Sequence, residues 1–187
     1  MNSLVSILGI AGSLRRDSYN RMALRTAQQL APDDAKIEIF DLAAIPLFNQ
    51  DEEKTPPAAV TEFKKRIRAA DAILIATPEY NFGIPGVLKN AIDWGSRPYG
   101  DNSWNDKPVA IMGASPGLLG TARAQLLMRH LLTFVNMHTV NQPEVMIAKA
   151  NEKFDASGNL TDETSQKLMR QLLQNLVNWT RRLGKGL

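Results

Sequence analysis

The 187-residue sequence predicts a three-layer α/β sandwich in one domain, 1–187: a five-stranded parallel sheet of order 2-1-3-4-5 with helices on both faces. Two observations predict it. Apolar runs of strand length alternate with stretches whose apolar residues recur every three or four positions, the signature of successive βα units. Most of these runs are apolar almost throughout, as in the AILIAT of residues 72–77. Strands of that kind are covered on both faces, and a sheet so covered is a parallel one.

Taken in order, residues 4–10 form strand 1, ended by the turn at Gly12 and Ser13. Ser18 or Asn20 caps the next helix, whose apolar residues Ala23, Leu24, Ala27 and Leu30 share one face. Residues 36–41 are strand 2. Thr55 before Pro56 and Pro57 marks a helix start, with Val60, Phe63, Ile67 and Ala70 as its inner stripe. Strand 3, residues 72–77, stops at Pro78, and Pro85 opens a helix carrying Val87, Leu88, Ala91 and Ile92. Strand 4 covers 108–114, a helix follows over 120–135, and 139–145 is a weaker fifth strand whose Pro143 belongs near a sheet edge. Residues 151–159 read as a polar loop. The last helix has Thr161 as cap, Asp162 and Glu163 in its first turn and Arg181 and Arg182 in its last. Its stripe is Leu168, Leu172, Leu176, Trp179 and Leu183, and Gly184 ends it. The loop over 46–55 is long enough to be mobile.

Composition excludes several classes of function. Twenty-two Lys and Arg against 19 Asp and Glu leave a net charge of +3, too little to imply nucleic acid. The basic groups at 64–68 and 181–185 fall on helix surfaces and read as solvated faces. With no Cys, disulfides, thiolate catalysis and metal–sulfur sites are excluded. His130 and His138 stand far from any acidic cluster of ligand spacing, so no metal site is expected. No run reaches membrane-spanning length, and no Lys or Arg precedes the first apolar run as in a signal peptide. A cytoplasmic protein with no membrane partner is the expectation.

The order 2-1-3-4-5 sets strands 1 and 3 side by side at the switch point, so the loops after strands 1, 3 and 4 border one crevice. The first loop reads S-x-R-x-x-S-x-N from Ser13 to Asn20 and matches neither G-x-G-x-x-G nor a G-K-[ST] site. Small residues let the backbone approach an anion, hydroxyls and amides donate to it, and a helix N-terminus follows; with Arg15 this suits a single terminal phosphate. Ser18 and Asn20 alone would be helix caps, but capping does not explain the Arg and the glycines together. The second loop, pinned by Pro78 and Pro85, can turn backbone amides towards one edge of a planar ring, with Tyr80 or Phe82 as an apolar wall. Tyr80 and Phe82 also fit a subunit contact, and residues 115–120 also fit a tight strand-to-helix turn. Asp41 mimics the ribose-binding acid of a dinucleotide fold, without the glycine fingerprint that would accompany it.

Three motifs in register, S-L-R-x-x-S-x-N, P-E-Y-N-x-x-x-P-G-x-L-K-N-x-I-D-W and S-P-G-x-x-G, resemble the NADPH-dependent FMN reductase family, in particular its chromate, quinone and azo-dye reductases. The resemblance runs from strand 1 to the last helix. It implies a flavodoxin-like fold with FMN at the carboxyl edge of the sheet. Ser13, Arg15, Ser18 and Asn20 would hold the phosphate, with Tyr19 beside them among the cofactor-binding residues. Pro78, Glu79, Tyr80 and Asn81, with Phe82, would hold the isoalloxazine, and Ser115 and Gly117 would border the ring. The implied activity takes a hydride from NADPH or NADH and passes it by a ping-pong cycle to small diffusible acceptors such as quinones, azo dyes, metal oxyanions including chromate, or free flavin. No dedicated catalytic acid or base is expected. A homodimer or homotetramer would cover the apolar groups of the 87–94 helix and the 80–86 loop. Two other classes compete. An electron carrier of this fold is usually strongly acidic, unlike this chain. Among non-redox domains, a phosphorylation receiver needs acids where Ala11, Gly12 and Ser13 stand, whereas a nucleoside-transferring enzyme could use Glu79 as its nucleophile.

Overall fold

β1 (Val5–Ala11) lies between β2 (Ala35–Phe40) and β3 (Ala72–Ala76), all parallel, with Ile7 opposite Ile37 on one side and Ala72 on the other. These strands come from a computed structural model, which describes residues 3–184. β4 (Pro108–Ala114) continues the sheet, pairing Ile73 with Val109. The resulting order, β2-β1-β3-β4-β5, is the flavodoxin-like one. The predicted fifth strand is two pieces. β5 (His138–Thr139) pairs with the start of β4 and β6 (Val145–Ile147) with its end. Pro143 lies in the gap, where it has no N–H for a ladder. There the Arg129 Nη1 donates to the Val140 carbonyl at 3.0 Å, taking the place of a strand neighbour.

Side-chain alternation along the strands builds two cores. Val5, Ile7, Ala72, Leu74, Ala110 and Met112 point to one face, under α1 (Tyr19–Gln29) and α6 (Glu163–Gly184). Leu8, Ile10, Ile73, Ile75, Val109 and Ile111 point to the other, under α2 (Ala58–Ala69), α3 (Gly86–Ser96) and α4 (Ala122–Phe134). Each fully buried Leu, Ile or Val contributes about 1.5–3 kcal/mol. Of the predicted α6 stripe, Leu172 and Leu176 are fully buried, while Leu168 and Trp179 cover the edge of the same core. No helix among the described residues is long and apolar enough to cross a membrane.

Four local expectations are corrected. The polar loop 151–159 contains the end of a one-turn helix, α5 (Ala150–Lys153), and Phe154 bridges to Leu160. The cap of α6 is Asp162, whose Oδ2 accepts from the Ser165 N–H at 2.8 Å and its hydroxyl at 2.5 Å; Thr161 instead donates to the Lys153 carbonyl. The Ser165 hydroxyl and amide hold the Asp162 carboxyl below its ordinary range, against the opposing effect of burial. The 46–55 loop is tied to α3: the Asn90 Oδ1 accepts from the Phe48 N–H at 2.7 Å, and Asn90 and Trp94 both donate to the Pro46 carbonyl. Lys64, read as part of a solvated face, is buried against Asp101, which also takes Arg68. Lys185, in the second basic group, lies outside the described residues.

Gly113 is where β4 passes the start of α4. A Cβ there would collide with the Thr121 side chain and the Thr77 carbonyl, whereas one on Gly86 would meet nothing within 4 Å. Gly113→Ala is expected to cost about 3 kcal/mol of stability in urea denaturation. Gly86→Ala serves as the control, with a change within about 0.5–1 kcal/mol.

Candidate functional site

A crevice of about 480 Å³ opens where β3 leaves the sheet. The Thr77 N–H makes the last ladder bond, to the Met112 carbonyl at 2.9 Å, and Pro78 then turns the chain away. On the other side of β3 the Gly12 N–H donates to the Ala76 carbonyl at 2.8 Å before the β1 loop departs. The two loops are packed through Gly12: a Cβ there would lie 3.0 Å from Leu88, 3.1 Å from Pro85 and 3.2 Å from Pro78. Of the residues predicted from sequence, Ser13, Arg15, Ser18, Tyr19, Asn20, Pro78, Glu79, Tyr80 and Ser115 line the crevice, joined by Ala114 and Pro116. Asn81, Phe82 and Gly117 are not in its lining.

The β1 side is built for an anion. Ser18 is the cap of α1, its Oγ accepting from the Asn20 N–H at 3.2 Å. No acid occupies the first turn of α1, so the positive end of the helix stays uncompensated within its own sequence. Arg16 and Arg21 pair with Asp17 and Asp41. Arg15 instead lies 5.5 Å from the Tyr19 ring centroid, and among the described residues it pairs with no carboxylate. Ser13 is buried, with its Oγ accepting from the Arg15 N–H at 3.3 Å and standing 3.5 Å from the Tyr80 hydroxyl. Asn20 is buried too, but its carboxamide is bonded to both backbone groups of Ala114.

On the β3 side, Glu79 lines the crevice while its carboxylate caps α4. It accepts from the Arg123 N–H at 2.9 Å, the Ala124 N–H at 3.1 Å and the Arg123 guanidinium at 3.2 Å. The helix needs this, because Thr121 at its N-cap caps no amide and its hydroxyl accepts from the Gln125 Nε2 at 3.0 Å instead. After Glu79, Tyr80 and Gly83 exchange both backbone hydrogen bonds around Asn81 and Phe82, at φ 51° and 64°. Two consecutive left-handed residues make a mirror-image hairpin turn, unusual for Phe and costing roughly 1–2 kcal/mol per residue. The turn holds Phe82 outside the crevice, with the Arg123 guanidinium 4.0 Å from its ring centroid. Gly117 shapes the third loop: its N–H bonds the Ser115 Oγ, and its carbonyl accepts from Gly120 and Lys149.

Sequence reasoning missed Arg123, which anchors both Glu79 and Phe82. Its one trace in the sequence is a helix start with no acid in its first turn. The Glu79 carboxylate, engaged by two amides and a guanidinium, is not poised as a nucleophile. The charge left to the crevice is that of Arg15.

Comparison with known proteins follows the same lines. A family model described as NADPH-dependent FMN reductase matches residues 5–152. A Pseudomonas aeruginosa protein named NAD(P)H-dependent FMN reductase is 50% identical over 184 residues, 98% of this chain and 99% of that one. A 2-hydroxy-1,4-benzoquinone reductase of a Burkholderia species is 40% identical over 177 residues, 95% of this chain and 97% of its own. Among solved structures, the Paracoccus denitrificans flavoenzyme NAD(P)H:(acceptor) oxidoreductase, FerB, superposes with a TM-score of 0.88 at 37% identity, covering 96% of this chain and 98% of that one.

The cap made by Glu79 can be tested by itself. Glu79→Ala should remove about 1–2 kcal/mol of stability by denaturant titration, the range for a lost helix cap, and α4 amides should exchange faster at Arg123 and Ala124. Unchanged exchange there would remove Glu79 from this role.

Proposed function

The chain belongs to the NADPH-dependent FMN reductase family, and from that premise we propose that its crevice holds FMN and serves NAD(P)H and small acceptors in turn. The carrying observation is Arg15, with no carboxylate partner among the described residues, in the loop that leads to a helix with no acid in its first turn. A phosphate monoester brings close to two negative charges, which a guanidinium, the hydroxyls of Ser13 and Ser18 and the amides of α1 offset together. The volume lies within the range of cofactor sites. The backbone from Pro78 to Tyr80 and the Ser115 turn form the remaining walls, where the flat ring would sit.

When bound, FMN supplies the two-electron chemistry, taking a hydride from NAD(P)H and yielding it to an acceptor. The protein positions and screens. Tyr80 stands half-exposed at the rim and leaves the mouth open to a second planar molecule. No second nucleotide fingerprint is present, so donor and acceptor share the opening. Benzoquinones are the acceptors we favour, from the named activity of the Burkholderia relative. Glu79 is committed to α4, which favours this reading over nucleoside transfer.

We also infer a homodimer, through a surface that keeps the 80–86 loop of the expected one and replaces the 87–94 helix by α4. The apolar residues of α3, Leu88, Ala91, Ile92 and Trp94, are buried within the chain. The exposed ones are on α4, where Leu126 is 62%, Leu127 51% and Phe134 85% accessible, and they are joined by Leu118, Leu119 and Phe82 near the crevice rim. A helix face that carries no carboxylate can pack on its own two-fold mate.

Three outcomes are expected. Arg15→Ala should weaken FMN by about 1–3 kcal/mol in fluorescence titration and leave riboflavin, which lacks the phosphate, nearly unchanged. Equal losses for both flavins would take Arg15 off the phosphate. Initial rates at several quinone concentrations should give parallel double-reciprocal lines, and intersecting lines would mean a ternary complex. Leu126→Glu with Phe134→Glu should yield monomers in light scattering; a dimer of unchanged mass would place the interface elsewhere.

A further inference from the structure

We propose that Asn20 is a positioning residue that sets the width of the crevice by replacing the stretch of strand that β3 does not supply. The proposal rests on the FMN reading above. In a parallel ladder the N–H and C=O of one residue point to the same neighbour, and those of the next residue to the other side. Met112 faces β3, its carbonyl accepting from the Thr77 N–H. Ala114, two residues on, faces the same way. Ser115 faces the opposite way, donating to the Ile147 carbonyl at 3.0 Å and accepting from the Ala150 N–H at 3.0 Å.

The pairing of Ala76 with Met112 brings Pro78 level with Ala114. The ladder partners due to Ala114 are therefore the Thr77 carbonyl and the Glu79 N–H, one residue to either side of Pro78, where the chain is already leaving the sheet. Ala114 is only 2% exposed, so both its backbone groups would be orphaned. Asn20 supplies both partners: its Nδ2 donates to the Ala114 carbonyl at 2.9 Å, and its Oδ1 accepts from the Ala114 N–H at 2.9 Å. A carboxamide has the donor and acceptor of a peptide unit, so a side chain from α1 completes the ladder across the gap.

The consequence is mechanical. The first turn of α1, which carries the anion-binding groups, is tied by one buried side chain to the opposite wall at Ala114 and Ser115. The Asn20 carboxamide is thereby spent on the protein, and its effect on a flavin is exerted through the spacing of the two walls. A phosphate ligand would discriminate FMN from riboflavin; a spacer would not.

The test uses the full chain as wild type, Asn20→Ala and Asn20→Asp, with FMN and riboflavin titrations and amide exchange at Ala114 in the flavin-free protein. Asn20→Ala should raise the Kd of FMN and of riboflavin by the same factor, about tenfold, and the Ala114 amide should exchange faster. Asn20→Asp sets a carboxylate against the Ala114 carbonyl. Its flavin affinities, relative to wild type at each pH, should be lowest near about pH 8 and recover towards about pH 5, where the carboxyl is protonated and donates again. That recovery keeps the test decisive if Asn20→Ala fails to fold. A loss confined to FMN, unchanged affinities, or an absent pH recovery would each overturn the proposal. If wild type took up no FMN, the cofactor reading would fail, and unchanged Ala114 exchange would separately refute the bridge.

Discussion

The site exists because β3 is shorter than the strand beside it. A parallel sheet that ends one strand early gains a crevice and is left with unpaired backbone on the longer neighbour. Buried amides and carbonyls are almost always satisfied, since an orphan costs about 1–3 kcal/mol. Here the unpaired groups belong to Ala114, and Asn20 takes them both. The bridge also fixes where the N-terminus of α1 lies relative to the far wall. Crevice, helix direction and wall spacing therefore share one origin.

A second arrangement controls charge. The N-termini of α1 and α4, both at this edge of the sheet, are filled differently. That of α4 is filled by the Glu79 carboxylate, with Arg123 as its counter-ion. That of α1 is given only the neutral oxygen of Ser18. The acid beside the crevice is thus neutralised within the protein, and Arg15 keeps its charge for an anionic ligand. Had Glu79 paired with Arg15, the cradle would carry no net attraction for a phosphate.

The rest of the fold supports these loops. Gly12 lets the β1 loop touch Pro78, Pro85 and Leu88, and Gly113 lets β4 pass beneath Thr121. Asn90 and Trp94 tie the 46–55 segment to α3, so its exposed Leu47 is displayed from a fixed backbone. With the apolar side of α3 used up in the core, α4 and the Phe82 turn carry much of the exposed apolar surface.

Much of this was legible in the sequence, and for local reasons. Apolar runs, helix stripes and Pro or Gly boundaries report the environment of a residue's own neighbours, so strands 1 to 4 and the helices between them fall within a few residues of their predicted places. The switch point then follows from chain order, and it gathers Ser13, Arg15, Ser18 and Pro78 without any knowledge of contacts. What the sequence could not settle is which long-range partner a polar group takes. Asn20 and Ser18 both read as caps or phosphate ligands, and only the folded chain shows Ser18 capping while Asn20 reaches 94 residues away to Ala114. Glu79 likewise finds its helix 44 residues on, and Lys64 finds Asp101 in a loop that local pattern leaves unplaced. The fifth strand divides for the same reason: its ladder partner is β4, and pairing at both ends of β4 is a property of the sheet that a short sequence window does not carry.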